Sequence, residues 1–252
     1  MRYHYEKVLK NEQIAPNVFK LVTTDHDEPA PGQFYMVKRE THGSALLLPR
    51  PLSVADWHKG ELTFIYQVVG RGTGELQDLR PGETLYLLGP QGNGFPIEVP
   101  GKIALVAGGV GTAPMIYLAK KLKEQGRLTD VFLGFQDIPY GVEELKPLAS
   151  SVKVATEKGR VGTMGRVTDI FSPEGYDAVF CCGSVPMMEA VTKQCEDADV
   201  PIYLSLENKM ACAVGTCLLC TCRTKEGKSL RTCKEGPVFR GEEVDFHAGN
   251  HN

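Results

Sequence analysis

Apolar and polar residues alternate through much of the first hundred positions. Residues 17–25 (NVFKLVTTD), 32–40 (GQFYMVKRE), 61–70 (ELTFIYQVVG) and 83–90 (ETLYLLGP) are short runs rich in β-branched and aromatic residues. Turn pairs bound them: Pro31-Gly32, Lys59-Gly60, Pro81-Gly82 and Gly89-Pro90. Short strands at this spacing predict a small antiparallel barrel or sandwich. The pattern changes near Pro100-Gly101. KIALVAGG (102–109) is a continuous apolar run, as expected of a strand buried on both faces. APMIYLAKKLKEQG (113–126) then shows helical spacing and ends at Gly126. The series continues with 130–135 (strand), 141–149 (short helix), 151–156 (strand), 165–171 (short helix), 176–183 (strand), 185–198 (helix) and 201–206 (strand). Five apolar runs alternating with helical segments predict a doubly wound parallel sheet. The expected division is a β-barrel domain over 1–100, an α/β domain over 101–206 and a cysteine-rich tail over 207–252.

With 252 residues, 42% of them hydrophobic, the chain has enough apolar material for such cores. The formal charge of −3 is spread along the sequence, with no basic block to attract nucleic acid or an anionic membrane. The first ten residues have no apolar core of signal-peptide length, and no run approaches the roughly 20 apolar residues of a spanning helix. The expectation is a soluble cytoplasmic protein. In a reducing compartment, clustered cysteines are more often metal ligands or redox groups than disulfides. Cys181, Cys182 and Cys195 stand in apolar or helical contexts and read as small buried core residues.

Three stretches suit phosphate. LVAGGVGTAP (105–114) joins a buried strand to a helix, and Gly108, Gly109 and Gly111 let the backbone turn tightly where free N–H groups face an anion. Its G-x-G-x-x-P differs from the usual dinucleotide fingerprint. RPLS, from Arg50 through Pro51 and Leu52 to Ser53, offers a guanidinium and a hydroxyl at the start of a strand. GRGTGEL (70–76) is a Gly-rich turn expected to open a short helix, with Thr73 near its N-cap. The position of the first, after a buried strand, favours phosphate over a purely structural turn; the other two read singly as an ordinary surface Arg and an ordinary turn, but together, upstream of a dinucleotide domain, they point to a second nucleotide cofactor.

The remaining cysteines follow Cys212-x4-Cys217-x2-Cys220-x12-Cys233, with Cys222 left over. C-x4-C-x2-C and a distant fourth cysteine is the plant-type [2Fe–2S] arrangement. Small neighbours (Ala211, Ala213, Gly215) let backbone N–H groups approach sulfur. A structural zinc site is the main rival, although zinc prefers two tight pairs. Disulfides come third.

In this order, a β-rich half with R-x-x-S, a Gly-rich phosphate turn, and a nucleotide domain opening G-G-x-G-x-x-P resemble the ferredoxin–NADP reductase family. CCGSVPMM (181–188) resembles that family's C-G-x-x-x-M segment, and GPQGNGF (89–95) is also similar to one branch. The tail ENKMACAVGTCLLCTC with TCKEGPVF resembles the iron–sulfur, electron-transfer subunits of NAD-dependent dihydroorotate dehydrogenases. The resemblance covers essentially the whole chain. It implies FAD on the barrel, a nicotinamide nucleotide on the second domain and a [2Fe–2S] cluster held by Cys212, Cys217, Cys220 and Cys233. Cys222 would then be a neighbouring thiol or a small buried residue.

By the same resemblance, Arg50 would hold an FAD phosphate and Ser53 would sit by the ring or pyrophosphate. Gln67, Val68 and Val69 would line the flavin through their backbone, and Gly72, Thr73 and Gly74 would cradle the pyrophosphate. Gly109 and Gly111 would take the pyrophosphate of NAD, with Cys182 and Gly183 near the nicotinamide. Asp137, after the second parallel strand, suits a free ribose hydroxyl and favours NAD over NADP; Lys158 and Arg160 in a later loop argue the other way. Nicotinamide exchanges a hydride, a [2Fe–2S] cluster passes single electrons, and flavin does both, so the chain reads as an electron transformer that needs no protein acid or base. The implied route runs from dihydroorotate through FMN on a separate catalytic subunit to this chain's cluster, its FAD and NAD⁺, within a heterotetramer of two copies of each chain. The alternatives are a flavin and iron–sulfur reductase subunit of another complex, such as a sulfide dehydrogenase or hydrogenase, and a zinc-stabilised nucleotide-binding regulator.

Overall fold

A computed structural model describes residues 2–25, 27–40 and 47–248. The first hundred residues form six strands: β1 (Arg2–Ala15), β2 (Val18–Thr24), β3 (Phe34–Arg39), β4 (Arg50–His58), β5 (Glu61–Gln67) and β6 (Thr84–Gln91), with helix α1 (Arg71–Gln77) before the last. They close into an antiparallel barrel in the order β1-β2-β5-β4-β3-β6. Its interior is packed with Leu21, Val37, Val54, Leu62, Phe64, Leu85 and Leu87, all fully buried. Closure rests on β1, which pairs with β2 on one side and β6 on the other.

The second layer alternates strands and helices: β7 (Ile103–Gly108), α2 (Thr112–Glu124), β8 (Asp130–Phe135), α3 (Val142–Leu145), β9 (Ser151–Thr156), β10 (Thr163–Met164), α4 (Val167–Ile170), β11 (Ala178–Cys182), α5 (Val185–Asp197) and β12 (Ile202–Ser205). The apolar run of β7 is buried over its first five residues, because it lies in the middle of the sheet with helices on both faces. The parallel strands lie in the order β10-β9-β8-β7-β11-β12. The chain moves outward from β7 in one direction, then returns to build β11 and β12 on the other side. The switch point therefore lies between β7 and β11. Barrel and sheet are not loosely tethered. Tyr117 of α2 is fully buried in the barrel's own core, and its hydroxyl donates to the Pro29 carbonyl at 3.0 Å.

The tail adds a hairpin, β13 (Thr221–Arg223) with β14 (Ser229–Arg231), and then β15 (Val238–Arg240). β15 runs antiparallel to β12, with Ser205 opposite Val238. The tail thus contributes a strand to the sheet that the sequence pattern assigns wholly to the preceding segment. Among the described residues, no helix is long and apolar enough to cross a membrane.

Candidate electron-transfer site

The cysteine loop follows β12. Ala213, Gly215 and Leu218 all adopt positive φ, which winds residues 212–218 tightly and turns backbone N–H groups inward. The amides of Val214 and Cys217 each donate to Cys212 Sγ at 3.4 Å. Burial works to raise the Cys212 thiol, but the Thr216 hydroxyl and these two amides outweigh it and bring its pKa down to about 6. Burial, with Cys220 alongside, instead pushes the Cys233 thiol up to about 12. The cysteines stand as two contacting pairs, Cys212 with Cys217 and Cys220 with Cys233. Among the described residues, no three of these sulfurs come within 4.8 Å of one another. A tetrahedral zinc ion with bonds of about 2.3 Å would need all four within about 3.8 Å. Two pairs suit a two-iron cluster, in which each iron takes two thiolates.

Cys220 and Cys233 are buried against Phe34, Met36 and Leu88 on the outside of the barrel. Cys222 packs in a different core, beneath the sheet with Leu206, Phe239 and Val244, and its thiol donates to the Leu230 carbonyl at 3.6 Å. Arg231 fastens the loop: it donates to the Gly215 carbonyl at 2.9 Å while its guanidinium grips the Glu235 carboxylate. The docking of the following segment is done by Asn93. Its Nδ2 donates to the carbonyls of Glu235 (3.0 Å) and Val238 (2.8 Å), and its Oδ1 accepts the Val238 amide (2.9 Å). The two motifs GPQGNGF and GPVF therefore bind each other, which explains their presence in one chain.

A cavity of about 280 Å³ opens between barrel and tail, lined by Phe34, Pro51, Ser53, Pro237 and residues 206–210. β4 alternates across it. Pro51 and Ser53 face the cavity, whereas the Leu52 side chain points into the barrel core, so only its backbone is available to a ligand. The Arg50 side chain lies over Gly72: a Cβ there would sit 1.9 Å from Arg50 Nε. This brings R-x-x-S and the Gly-rich turn into one place. Thr73 lies near the helix start as expected, as the third residue of α1, with its side chain bonded to the backbone of the N-cap, Gly70. Its hydroxyl accepts the Val69 and Gly70 amides at 3.0 and 3.3 Å and donates to the Gly70 carbonyl at 3.2 Å. That hydroxyl therefore closes the turn, leaving the backbone of Gly72 and Gly74 to face a phosphate. Gln67 and Val69 are exposed beside it, and Val68 is half-buried with its amide on the Asn17 carbonyl.

At the switch point, the turn after β7 meets the turn after β11. A Cβ on Gly111 would lie 2.3 Å from the Cys182 carbonyl, and one on Gly183 would lie 2.6 Å from the Met187 methyl. These two glycines serve the packing of one turn on the other. Gly109, at φ +54°, has open space beside it, and its nearest neighbour is the Tyr140 hydroxyl at 4.0 Å. Thr112, the first residue of α2, is fully buried with its hydroxyl unpartnered. An open glycine backbone and an orphaned hydroxyl at a helix start fit a pyrophosphate. Cys181, Cys182 and Cys195 are fully buried. Burial raises all three thiols, so none is a nucleophile at neutral pH. Beyond β8, Asp137 is clasped by Lys158 at 2.9 Å and by Arg160 at 3.3 Å. The carboxylate and the two cations of the sequence argument are one cluster.

Sequence reasoning missed Phe34, Asn93, Arg231 and Glu207. Glu207 is exposed and lines the cavity. Asn93 and Glu207 lay inside quoted motifs, without a role assigned to them; Phe34 and Arg231 carry no local signal.

Residues 207–245 match the family model described as the iron–sulfur cluster binding domain of dihydroorotate dehydrogenase B. A relative from Clostridium acetobutylicum, the electron transfer subunit of dihydroorotate dehydrogenase B (NAD(+)), is 43% identical over 96% of this chain and 97% of its own length. One of the same name from Caldanaerobacter subterraneus is 40% identical over 95% and 97%. Among solved structures, a chain of an NADH-dependent reduced ferredoxin–NADP oxidoreductase, studied for flavin-based electron bifurcation, is 33% identical. It superposes with a TM-score of 0.86, covering 96% of this chain and 90% of that one. The flavohaem-like FAD/NAD-binding domain of a Vibrio cholerae nitric oxide dioxygenase, 18% identical with a TM-score of 0.71 over 81% of this chain and 98% of its own, shares the fold. With relatives of this identity along nearly its whole length, the chain belongs to the electron transfer subunits of NAD(+)-dependent dihydroorotate dehydrogenase B.

Proposed function

We propose that this chain connects an FMN-containing, dihydroorotate-oxidising subunit to NAD⁺, as the electron-transfer half of an oxidoreductase in pyrimidine synthesis. When bound, FAD exchanges a hydride with nicotinamide and single electrons with a [2Fe–2S] cluster, which is the chemistry that joins the two ends. Cys212 and Cys217 would hold one iron, Cys220 and Cys233 the other. Arg50, with the backbone of Gly72 and Gly74, would hold the FAD phosphates, while Pro51, Leu52, Ser53 and the backbone of residues 67–69 would position its ring. Gly109 and Thr112 would take the NAD pyrophosphate and Asp137 its ribose. Gly111, Cys182 and Gly183 would shape the floor on which the nicotinamide lies.

The observation that carries this reading is the position of Phe34. This buried residue belongs to the same apolar cluster as Cys220 and Cys233, and it also lines the cavity beside Ser53. With FAD at this cavity, a single side-chain layer would separate it from the thiols. On the outer side, Cys217 is exposed, with Leu218 and Leu219 at 59% and 52% exposure. An apolar, exposed loop next to the electron entry point is where the catalytic subunit would dock.

A second reading, a reductase subunit of a different complex, draws on the 33%-identical chain of the ferredoxin–NADP oxidoreductase. Anaerobic co-purification from the native cells, with mass spectrometry of the partner, decides between them. An FMN dihydroorotate dehydrogenase chain in equal amount is expected. Recovery of another oxidoreductase with no dihydroorotate-dependent NAD⁺ reduction would overturn the substrate assignment.

A further inference from the structure

The outer end of the barrel holds a polar cluster that the electron-transfer site does not use. In β1, Tyr3 and Tyr5 point outward and are 61% and 64% exposed. The intervening His4 and Glu6 point inward, opposite Leu87 and Leu85 of β6, with side chains only 9% and 12% exposed. Both leucines are fully buried core residues, so His4 and Glu6 take positions where the barrel's pattern calls for apolar side chains. Asp25, immediately after β2, joins them and has no exposure at all.

The donor atoms in this cluster are under-used. Asp25 Oδ1 accepts the Asp27 amide at 3.2 Å, but Oδ2 makes no bond of good geometry; the buried Tyr35 hydroxyl beside Asp25 is unpartnered too. His4 Nε2 is likewise buried without a partner. Glu6 Oε2 is tied to the Thr24 hydroxyl, which leaves Oε1 3.8 Å from His4 Nδ1. Asp27, at the rim, places Oδ2 3.9 Å from His4 Nε2. One ligand atom from each of His4, Glu6 and Asp25 lies within 4.8 Å of the other two. Among the described residues, no lysine or arginine forms an ion pair with Glu6, Asp25 or Asp27. Three carboxylates and one imidazole carry a net charge of −2 even with the imidazole protonated. Asp27 is 44% exposed, but holding Glu6 and Asp25 in the barrel with one oxygen orphaned is costly, and a divalent cation would offset that cost.

We propose that His4, Glu6 and Asp25, with Asp27 at the rim, bind one divalent transition-metal ion of the zinc type. The imidazole argues against calcium and magnesium, which take oxygen ligands, and nitrogen with carboxylate oxygen suits zinc. A tetrahedral shell with bonds of about 2.0–2.1 Å sets its donors about 3.3 Å apart. The present spacing needs only small side-chain rotations to reach it. The ion would be structural. It would fasten the start of β1, the strand that closes the barrel, to the segment after β2, on the face of β1 opposite the one where Tyr3 and Tyr5 line a pocket with Cys212.

The test uses the full chain with its flavin and cluster, dialysed against a chelator and then given Zn²⁺ alone. Bound zinc is counted after desalting, and its shell is read by zinc K-edge X-ray absorption. One zinc per chain is expected, with a nitrogen/oxygen shell at about 2.0–2.1 Å and no sulfur shell at about 2.3 Å. His4→Gln and Asp25→Asn are each expected to weaken zinc binding at least tenfold with the visible spectrum of the cluster unchanged. No retained zinc, a sulfur shell, or equal retention in the two variants would each overturn the proposal. If a variant does not fold, the wild-type absorption edge still decides.

Discussion

Asn93 gives the sharpest test of how the tail is held. Asn93→Ala deletes three hydrogen bonds, two donated by Nδ2 and one accepted by Oδ1. It also leaves the amide of Val238, a residue only 5% exposed, without its partner. At about 1 kcal/mol per bond, the loss is about 3 kcal/mol. In a chain of this size, each kcal/mol moves the melting midpoint by about 2–4 °C, so a fall of about 6–12 °C is expected. The backbone bond from Asn93 N–H to the Gly236 carbonyl at 2.7 Å survives, so the barrel should remain folded. Because Asn93 fixes Glu235 and Val238, and Cys233 lies just upstream, the variant should also lose iron faster during anaerobic dialysis. Thermal unfolding by circular dichroism reads the first effect and iron analysis the second. A midpoint within about 1 °C of wild type, with full iron retention, would refute the idea that this side chain docks the tail.

Gly72→Ala should push the Arg50 guanidinium off the turn while leaving the fold intact, since the clash at 1.9 Å is with the end of a flexible side chain. Losing one hydrogen bond to a charged group, about 1.5–3 kcal/mol, predicts roughly 10- to 100-fold weaker FAD binding, read by fluorescence titration of the deflavinated chain; unchanged affinity would remove Arg50 from the flavin site. Asp137→Ala should free Lys158 and Arg160 for a 2′-phosphate and move the NADH-to-NADPH preference in diaphorase assays at least tenfold toward NADPH. An unmoved ratio would place the ribose elsewhere. Glu28 holds Lys121 of α2 at 2.5 Å and accepts from the Tyr117 hydroxyl at 3.4 Å. The hydrogen bond from Lys121 is the main cause of its lowered pKa, against opposing burial. A lowered carboxyl contributes stability above its ordinary range and loses it as pH falls through and below that range. Glu28→Gln should therefore cost up to about 1 kcal/mol at neutral pH, the pair being partly exposed. Its urea midpoint should converge with wild type in acid, and a gap that widened there would reverse the assignment.

The parallel sheet was legible because β7, β8 and β11 are buried on both faces and read as apolar runs. The barrel was only partly legible. β1 hid because its inward positions include His4 and Glu6 while Tyr3 and Tyr5 face outward, which inverts the usual alternation. β4 showed only its start, where RPLS reads as the opening of a strand, because Ala55, Asp56 and His58 break the apolar alternation after it. The cysteine spacing was legible, but the pairing of the thiols was not, since it depends on where the β13–β14 hairpin returns Cys233 to Cys220. β15 is three residues long, and nothing local marks it as the edge strand of a sheet that begins more than a hundred residues earlier. The contacts of Asn93 and Phe34 with the tail span more than a hundred residues of sequence, a range that no pattern of hydrophobicity encodes.

That long range is itself the functional point. A barrel and a doubly wound sheet can each hold a nucleotide alone, but neither brings thiols to the cavity between them. The tail does so by returning twice: once as the cysteine loop against Phe34, Met36 and Leu88, and once as β15 against β12. The second contact fixes the first. β15 is locked to the sheet at Ser205 and to the barrel through Asn93, so the hairpin between them has little freedom. Electron transfer between two centres falls steeply with their separation, and a one-residue partition such as Phe34 is useful only if both of its sides are held still. The strand that looks like a structural afterthought is therefore what keeps the thiols at a constant distance from the cavity.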